Sequence, residues 1–155
     1  MSDLRVRRLD ADDHESVLAL ARELGQWFRP LDQITLAIDL KQHEGFITER
    51  EGALLGFLTY HVASPAVAEL SWLGVRAADQ RHGVGAALLA ALEAELRARS
   101  VRTLLVSTLD ASSEEPAFEA ARRFYQRHGF EPIGHDENYF APGRHRVLLK
   151  KVLGE

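Results

Sequence analysis

The sequence predicts an α/β domain, on three observations. Strand-like and helix-like hydrophobic patterns alternate along the chain. An apolar strand at residues 68–75 turns, through a run with two glycines, into an alanine- and leucine-rich helix at 85–96. The 155 residues fall within the size of one domain and suffice to bury a real core, so a single domain over 1–155 is expected.

Residues 4–9, Leu-Arg-Val-Arg-Arg-Leu, alternate like a half-exposed strand. Asp12 or Asp13 can cap the next helix, in which Val17, Leu18, Leu20, Ala21 and Leu24 form one apolar face and which Gly25 ends. Pro30 predicts a second helix over 31–42. Residues 45–50 and 53–62 flank Glu51-Gly52 and read as a hairpin on a tight glycine turn. The strand at 68–75 follows, then the helix at 85–96, which has no β-branched residue to cost it side-chain freedom. Residues 101–109 read as a buried strand, 114–127 as a helix, and 130–139 with 144–153 as a closing antiparallel pair. No repeat or low-complexity segment interrupts this order.

Composition narrows the function. Lys and Arg total 19 against 23 Asp and Glu, and the basic residues are scattered, which speaks against nucleic-acid binding. No apolar run approaches the length of a membrane span, and Met1-Ser2-Asp3-Leu4-Arg5 begins a polar strand rather than a signal peptide, so a cytoplasmic protein without membrane association is expected. The chain has no cysteine, which excludes disulfides, thiolate metal ligands and a cysteine nucleophile. Its seven histidines include no pair at the i, i+4 helical spacing, and no metal site is expected.

The run Gln80-Arg81-His82-Gly83-Val84-Gly85-Ala86 carries most of the functional information. The first N–H groups of a helix have no intrahelical partner, the macrodipole adds partial positive charge, and glycines keep side chains clear, so a pyrophosphate fits there. A plain strand-to-helix turn is the simpler alternative. A nucleotide P-loop would need Gly-Lys followed by Ser or Thr. A dinucleotide fold would need a third glycine where Ala86-Ala87-Leu88 follow. The run resembles the acetyl-CoA pyrophosphate loop of the GNAT superfamily of N-acetyltransferases: Gln or Arg, two variable residues, Gly, one variable residue, then Gly or Ala. Downstream, Ala121-Arg122-Arg123-Phe124-Tyr125-Gln126-Arg127-His128-Gly129-Phe130 resembles the family's second signature, an Ala with Tyr four residues later and a Gly-Phe close. Gly129 is also the residue a helix needs at a left-handed stop. Phe118 stands where the family often has an asparagine facing the cofactor, seven residues before the tyrosine.

The resemblance implies a GNAT fold, with a mixed, mostly antiparallel sheet of about seven strands splayed at its centre and about four helices. It implies acetyl-CoA as acyl donor and an amine as acceptor. Cofactor contacts would come from Gln80, Arg81, His82, Gly83, Val84, Gly85 and Ala86, and from the backbone of Leu73, Gly74 and Val75 beside the pantetheine arm. Gly74 suits a strand bulge, or it makes room for packing. An alkyl ammonium titrates near ~10 and needs a proton acceptor before it can attack a thioester. Glu69, eleven positions before Gln80, falls where catalytic glutamates lie in those family members that have one, or it is an ordinary strand acid. Strict alternation puts Glu69, Ser71 and Leu73 on one face and Leu70 and Trp72 on the other. Tyr125 is where the family places a hydroxyl that protonates the leaving thiolate; it is otherwise an aromatic anchor. Trp27 and Phe28 occupy the segment that lines the acceptor entrance in the family, or they belong to the core.

The acidic residues Asp110, Glu114, Glu115, Asp136 and Glu137 mildly favour a cationic amine, although Ser112-Ser113-Glu114-Glu115-Pro116 also reads as a capped helix start. The expected activity is acetyl transfer to a primary amine by direct attack in a ternary complex, with a small-molecule acceptor. A protein or peptide N-acetyltransferase, and a non-catalytic acyl-CoA-binding sensor, are the alternatives. A homodimer is left open.

Overall fold

The computed structural model describes residues 4–154. The strands are β1 (Arg5–Arg8), β2 (Glu44–Arg50), β3 (Ala53–Ser64), β4 (Val67–Val75), β5 (Thr103–Leu109), β6 (Glu131–Ala141) and β7 (Arg144–Val152). The helices are α1 (His14–Glu23), α2 (Pro30–Leu40), α3 (Val84–Ala98) and α4 (Pro116–Arg127), with single 3₁₀ turns at Ala11–Asp13 and Ala77–Asp79. The strands form one mixed sheet in the order β1-β2-β3-β4-β5-β7-β6. Every predicted element is present, with ends displaced by at most two residues. By internal packing the chain divides into two compact units, one running to His61 and including Leu70–Arg99, the other made of Val62–Glu69 and the chain from Ser100 on.

In the first unit, β2 pairs antiparallel with both β1 and β3. The hairpin turn is the expected one: Glu51 and Gly52 both have positive φ, 53° and 83°, as a two-residue turn between right-twisted strands requires. Val17, Leu20, Ala21, Leu24 and Phe28 pack with Leu36, Leu40, Ile47 and Phe57 on one face of this sheet. On the other face, Gly56 lets α3 approach: a Cβ there would meet Val84 Cγ1 and the Gly74 carbonyl oxygen at 3.0 Å and Leu88 Cδ1 at 3.3 Å. Leu88, Leu89, Leu92 and Leu96 are buried along the inner side of α3, and burying such a side chain is worth about 1.5–3 kcal/mol.

The start of α1 differs from the expectation of a capping Asp12 or Asp13. Asp10 caps the preceding 3₁₀ turn, accepting from the Asp12 N–H at 2.8 Å, while the Asp13 carboxylate accepts from the Asp10 N–H at 2.9 Å. Asp13 is free for long-range work because its own helix needs no side-chain cap. The Arg7 guanidinium grips both its oxygens at 2.8 and 2.9 Å and donates a third bond to Glu49 at 2.9 Å. Hydrogen bonding from Arg7 holds the Asp13 carboxyl below its ordinary range. A carboxylate depressed in the folded state stabilises the fold above its unfolded pKa, about 3.9, and that stabilisation is lost as pH falls through the folded value. Arg7→Met should therefore cost about 1–3 kcal/mol at pH 7, and flatten the fall in urea stability below about pH 4. Urea titrations of both proteins at pH 7 and pH 3 check this; a parallel fall would assign the acid sensitivity to other carboxylates.

In the second unit, β7 pairs antiparallel with β5 on one side and β6 on the other. Helix α4 starts at Pro116, two residues later than expected, because proline is suited to a first helical position. Ser112 and Ser113 belong to the turn before it, where Asp110 accepts from the Ser112 N–H at 3.1 Å. Arg122 ties this turn to α4, donating to the carbonyls of Leu109, Asp110 and Ser113. At the far end, Gly129 has φ +91°, its N–H bonds the Gln126 carbonyl at 3.2 Å, and the Phe130 N–H bonds the Tyr125 carbonyl at 3.0 Å. These two bonds make a Schellman stop, and the accompanying apolar contact is between the rings of Phe130 and Tyr125, edge to face at 5.4 Å.

Candidate functional site

The loop between β4 and α3 is fixed from both ends. The Arg76 N–H donates to the Leu55 carbonyl at 2.7 Å, and the Gln80 side chain donates back to the Val75 carbonyl at 2.9 Å. Asp79, 6 % exposed, receives Arg76 Nε at 2.6 Å and lies 3.6 Å from Arg50 Nη1. Sequence reasoning missed this clamp because Arg50 lies on a different strand. Arg81 sits at φ +66°, a backbone region that costs a non-glycine residue energy, and Gly83 follows at φ +85°.

Gly83 is the residue before the first turn of α3, which begins one position earlier than expected. No side chain caps this end, and the first turn holds no acid. The first intrahelical bond runs from the Ala87 N–H to the Gly83 carbonyl, 3.0 Å, so the N–H groups of Val84, Gly85 and Ala86 stand ahead of the ladder. A Cβ built on Gly83 would meet nothing within 4 Å. Val84 is buried against Gly56, while Arg81, His82 and Gly83 are exposed. An open, uncapped, acid-free helix start is an anion cradle, so the residues present fit a pyrophosphate group.

Strand β4 departs from strict alternation. The Ser71 hydroxyl lies 2.7 Å from Thr59 Oγ1 and 2.9 Å from His43 Nδ1. The next residue, Trp72, donates from Nε1 to Asp39 Oδ2 at 2.8 Å and packs 5.6 Å from the Phe28 ring. Thr59 shares its sheet face with Phe57, two residues before it, so Ser71 and Trp72 both point to the face carrying α1 and α2. The placing of Trp72 opposite Ser71 is thus corrected, and two consecutive side chains on one face are what a bulge produces. Gly74 has a different reason to be glycine: a Cβ there would meet Phe57 Cε1 at 2.8 Å and Leu24 Cδ1 at 3.2 Å.

Of the aromatic pair proposed for the acceptor entrance, Phe28 is 2 % exposed, between Phe57 and Trp72 in the core, so its ring does not line an opening; Trp27 is half-buried against the same cluster.

In the second unit, Glu69 is half-buried on β4. Tyr125 is buried beside Phe124 and Phe130, and desolvation pushes its hydroxyl well above the ordinary tyrosine range. Phe118 lies under the Arg144 guanidinium, 5.7 Å from ring centre to Cζ. A groove of about 660 Å³ is lined by Asp110, Arg122, Gln126, Phe130, Val147 and Leu149 among others, and neither Glu69 nor Tyr125 lines it. The expected acidic cluster is already engaged in part: Asp110 bonds His135, and Asp136 bonds Arg146.

The family comparison is decisive at this point. The description of an acetyltransferase (GNAT) domain matches residues 41–132, more than half of the chain. The chain belongs to the GNAT family. It is accordingly an acetyl-CoA-dependent N-acetyltransferase. Solved structures agree on the fold. A protein assigned to the GNAT family from Desulfovibrio desulfuricans superposes with a TM-score of 0.87 at 20% identity, covering 98% of this GNAT chain and 100% of its own. The ribosomal-protein-S18-alanine N-acetyltransferase of Escherichia coli gives 0.81 at 21% identity, covering 99% and 96%. An aminoglycoside 6'-N-acetyltransferase complexed with coenzyme A gives 0.80 at 17% identity, covering 97% and 98%. No curated protein matches the GNAT chain in sequence. Among the described residues, no helix is long and apolar enough to cross a membrane.

Proposed function

We propose that the chain, working as one domain, moves an acetyl group from acetyl-CoA to the primary amine of a small molecule, by direct attack within a ternary complex. The observation that carries this reading is the open, uncapped start of α3 behind the clamped Gln80–Gly85 loop. The N–H groups of Val84, Gly85 and Ala86 hold the pyrophosphate, with Arg81 and His82 adding charge at its edge. Backbone groups of Leu73, Gly74 and Val75 orient the pantetheine arm, and an N–H among them faces the thioester oxygen as charge develops on it. Glu69 accepts a proton from the alkyl ammonium, and the nitrogen lone pair so freed attacks the carbonyl carbon. Tyr125 donates its hydroxyl proton to the departing sulfur. Trp27 borders the acceptor, backed by Phe28.

The absence of cysteine supports direct attack over a thiol acyl-enzyme. The acidic residues Asp110, Glu114, Glu115, Asp136 and Glu137 lend mild support to a cationic acceptor, with Asp110 and Asp136 already engaged by His135 and Arg146. The likeness to a ribosomal-protein acetyltransferase keeps a peptide amine as the second reading. A thiol-release screen with acetyl-CoA against amino acids, polyamines, aminoglycosides and N-terminal peptides decides between them: turnover confined to peptides would overturn the small-molecule assignment.

The Tyr125 role has its own test. Tyr125→Phe keeps the ring against Phe130 and removes only the hydroxyl, so stability should hold while turnover falls by up to about 10²-fold. Because burial raises its pKa, the donor form persists to above pH 10, and the parent rate should hold until then. The same shift makes stability decline as pH rises from the unfolded value of about 10 toward the folded one, so rates are compared below that pH. Parental turnover in the variant would leave the thiolate to be protonated by solvent.

A further inference from the structure

A chain of polar side chains in the first unit has no part in the reading above. It joins Asp39 of α2, His43 between α2 and β2, Thr59 of β3 and Ser71 of β4. His43 Nδ1 lies 2.9 Å from Ser71 Oγ, and Ser71 Oγ lies 2.7 Å from Thr59 Oγ1. His43 Nε2 is 3.9 Å from Asp39 Oδ1, while the other oxygen of Asp39 is held by the Trp72 indole. The side chains of His43 and Asp39 are 15% and 22% exposed. His61 of β3 is a further titratable neighbour, with its ring centre 4.7 Å from that of His43.

Amide formation from an alkyl ammonium removes two protons from nitrogen, and Glu69 accepts one. We propose that Ser71 and His43 carry the other: Ser71 meets the acceptor amine, and His43 acts through it. The proposal rests on the reading of the chain as an amine acetyltransferase. A hydroxyl has one donor and two acceptor positions. With Thr59 donating to Ser71 Oγ and Ser71 donating to Nδ1 of a neutral His43, one Ser71 lone pair is left for the ammonium. Once Glu69 has taken the first proton and the amine has attacked the thioester carbon, an N–H bond of the now positively charged nitrogen breaks and its proton bonds to Ser71 Oγ, while the Ser71 O–H proton bonds to Nδ1. Nitrogen keeps the electron pair of that bond, which becomes the amide lone pair as the C–S bond breaks and the thiolate leaves. The imidazolium formed faces the Asp39 carboxylate and loses one proton to solvent, and the relay is restored when the proton the neutral ring keeps is on Nε2, with Nδ1 again accepting from Ser71. The departure from alternation that turns Ser71 and Trp72 to one face is what lets a single strand hold both the serine and the tryptophan that fixes Asp39.

The test uses the best acceptor of the amine screen, with acetyl-CoA. Ser71→Ala and His43→Gln should each lower kcat by roughly 10–10²-fold, with acetyl-CoA affinity by calorimetry unchanged. The parent kcat/KM should decline on the acid side, where imidazoles take up protons, and His43→Gln should move that limb. His61→Asn should leave the limb in place. Added imidazole should restore the rate of His43→Ala, which a packing role for the ring would not produce. Folded Ser71→Ala and His43→Gln proteins with the parental rate and acid limb would overturn the proposal, as would a limb that moves with His61→Asn alone. A parent that binds acetyl-CoA but turns over no amine would instead sink the acetyltransferase reading on which it rests.

Discussion

Glu69→Gln lowers turnover by about 10²–10⁴-fold with acetyl-CoA affinity nearly intact: this is the largest effect expected of any single substitution. The cause is protonation. An amine titrating near ~10 is almost wholly ammonium at neutral pH, with no lone pair to attack. Glutamine keeps the shape and hydrogen-bonding capacity of the side chain but cannot take the proton, so the loss appears in kcat rather than in cofactor binding. Steady-state rates on the true acceptor, with calorimetry for acetyl-CoA, separate the two. Full activity in Glu69→Gln would move the base elsewhere, with Glu49 or a water chain next in line.

Gly83→Val should weaken acetyl-CoA binding by about 10–100-fold, or about 1.4–2.7 kcal/mol. Two costs combine in it. A β-branched residue at φ +85° is strained, and its side chain fills the space in front of the first N–H groups of α3. Gly83→Ala separates them. It carries the backbone strain at φ +85° without the bulk, since its Cβ would meet no protein atom within 4 Å, so the affinity valine loses beyond alanine reflects the approach of the ligand. Unchanged affinity in both variants would remove the loop from the binding site.

How much of this was legible in the sequence depended on the range of the interaction. Gly129 could be read as a helix stop and Glu51-Gly52 as a hairpin turn because both rest on local backbone demands, and both carry the expected positive φ. The loop from Gln80 to Ala86 was legible because strand, glycines and helix are contiguous. Strict period-2 counting failed at Ser71 and Trp72, since a bulge shifts the phase of a strand without leaving a compositional mark. Phe28 and Trp27 are adjacent and chemically alike, and only tertiary packing separates the core ring from the half-buried one. His43 and Asp79 were invisible as partners because their contacts, Ser71 and Arg50, lie about 28 and 29 positions away in sequence.

The stop at the end of α4 has a consequence for which sequence changes the chain tolerates. The Tyr125 carbonyl and ring are both held from beyond the helix, by the Phe130 N–H and the Phe130 ring. The five-residue interval therefore works as a ruler. Each residue of a helix advances about 100° around its axis, so one residue inserted between Tyr125 and Gly129 would leave the stop bonding a different carbonyl and turn the phenol away from Phe130 by about that angle. Substitutions at exposed Gln126 and Arg127 should be absorbed there, whereas insertions and deletions should not. A library combining both kinds of change, scored for folded protein, would show a sharp tolerance to identity beside an equally sharp intolerance to length.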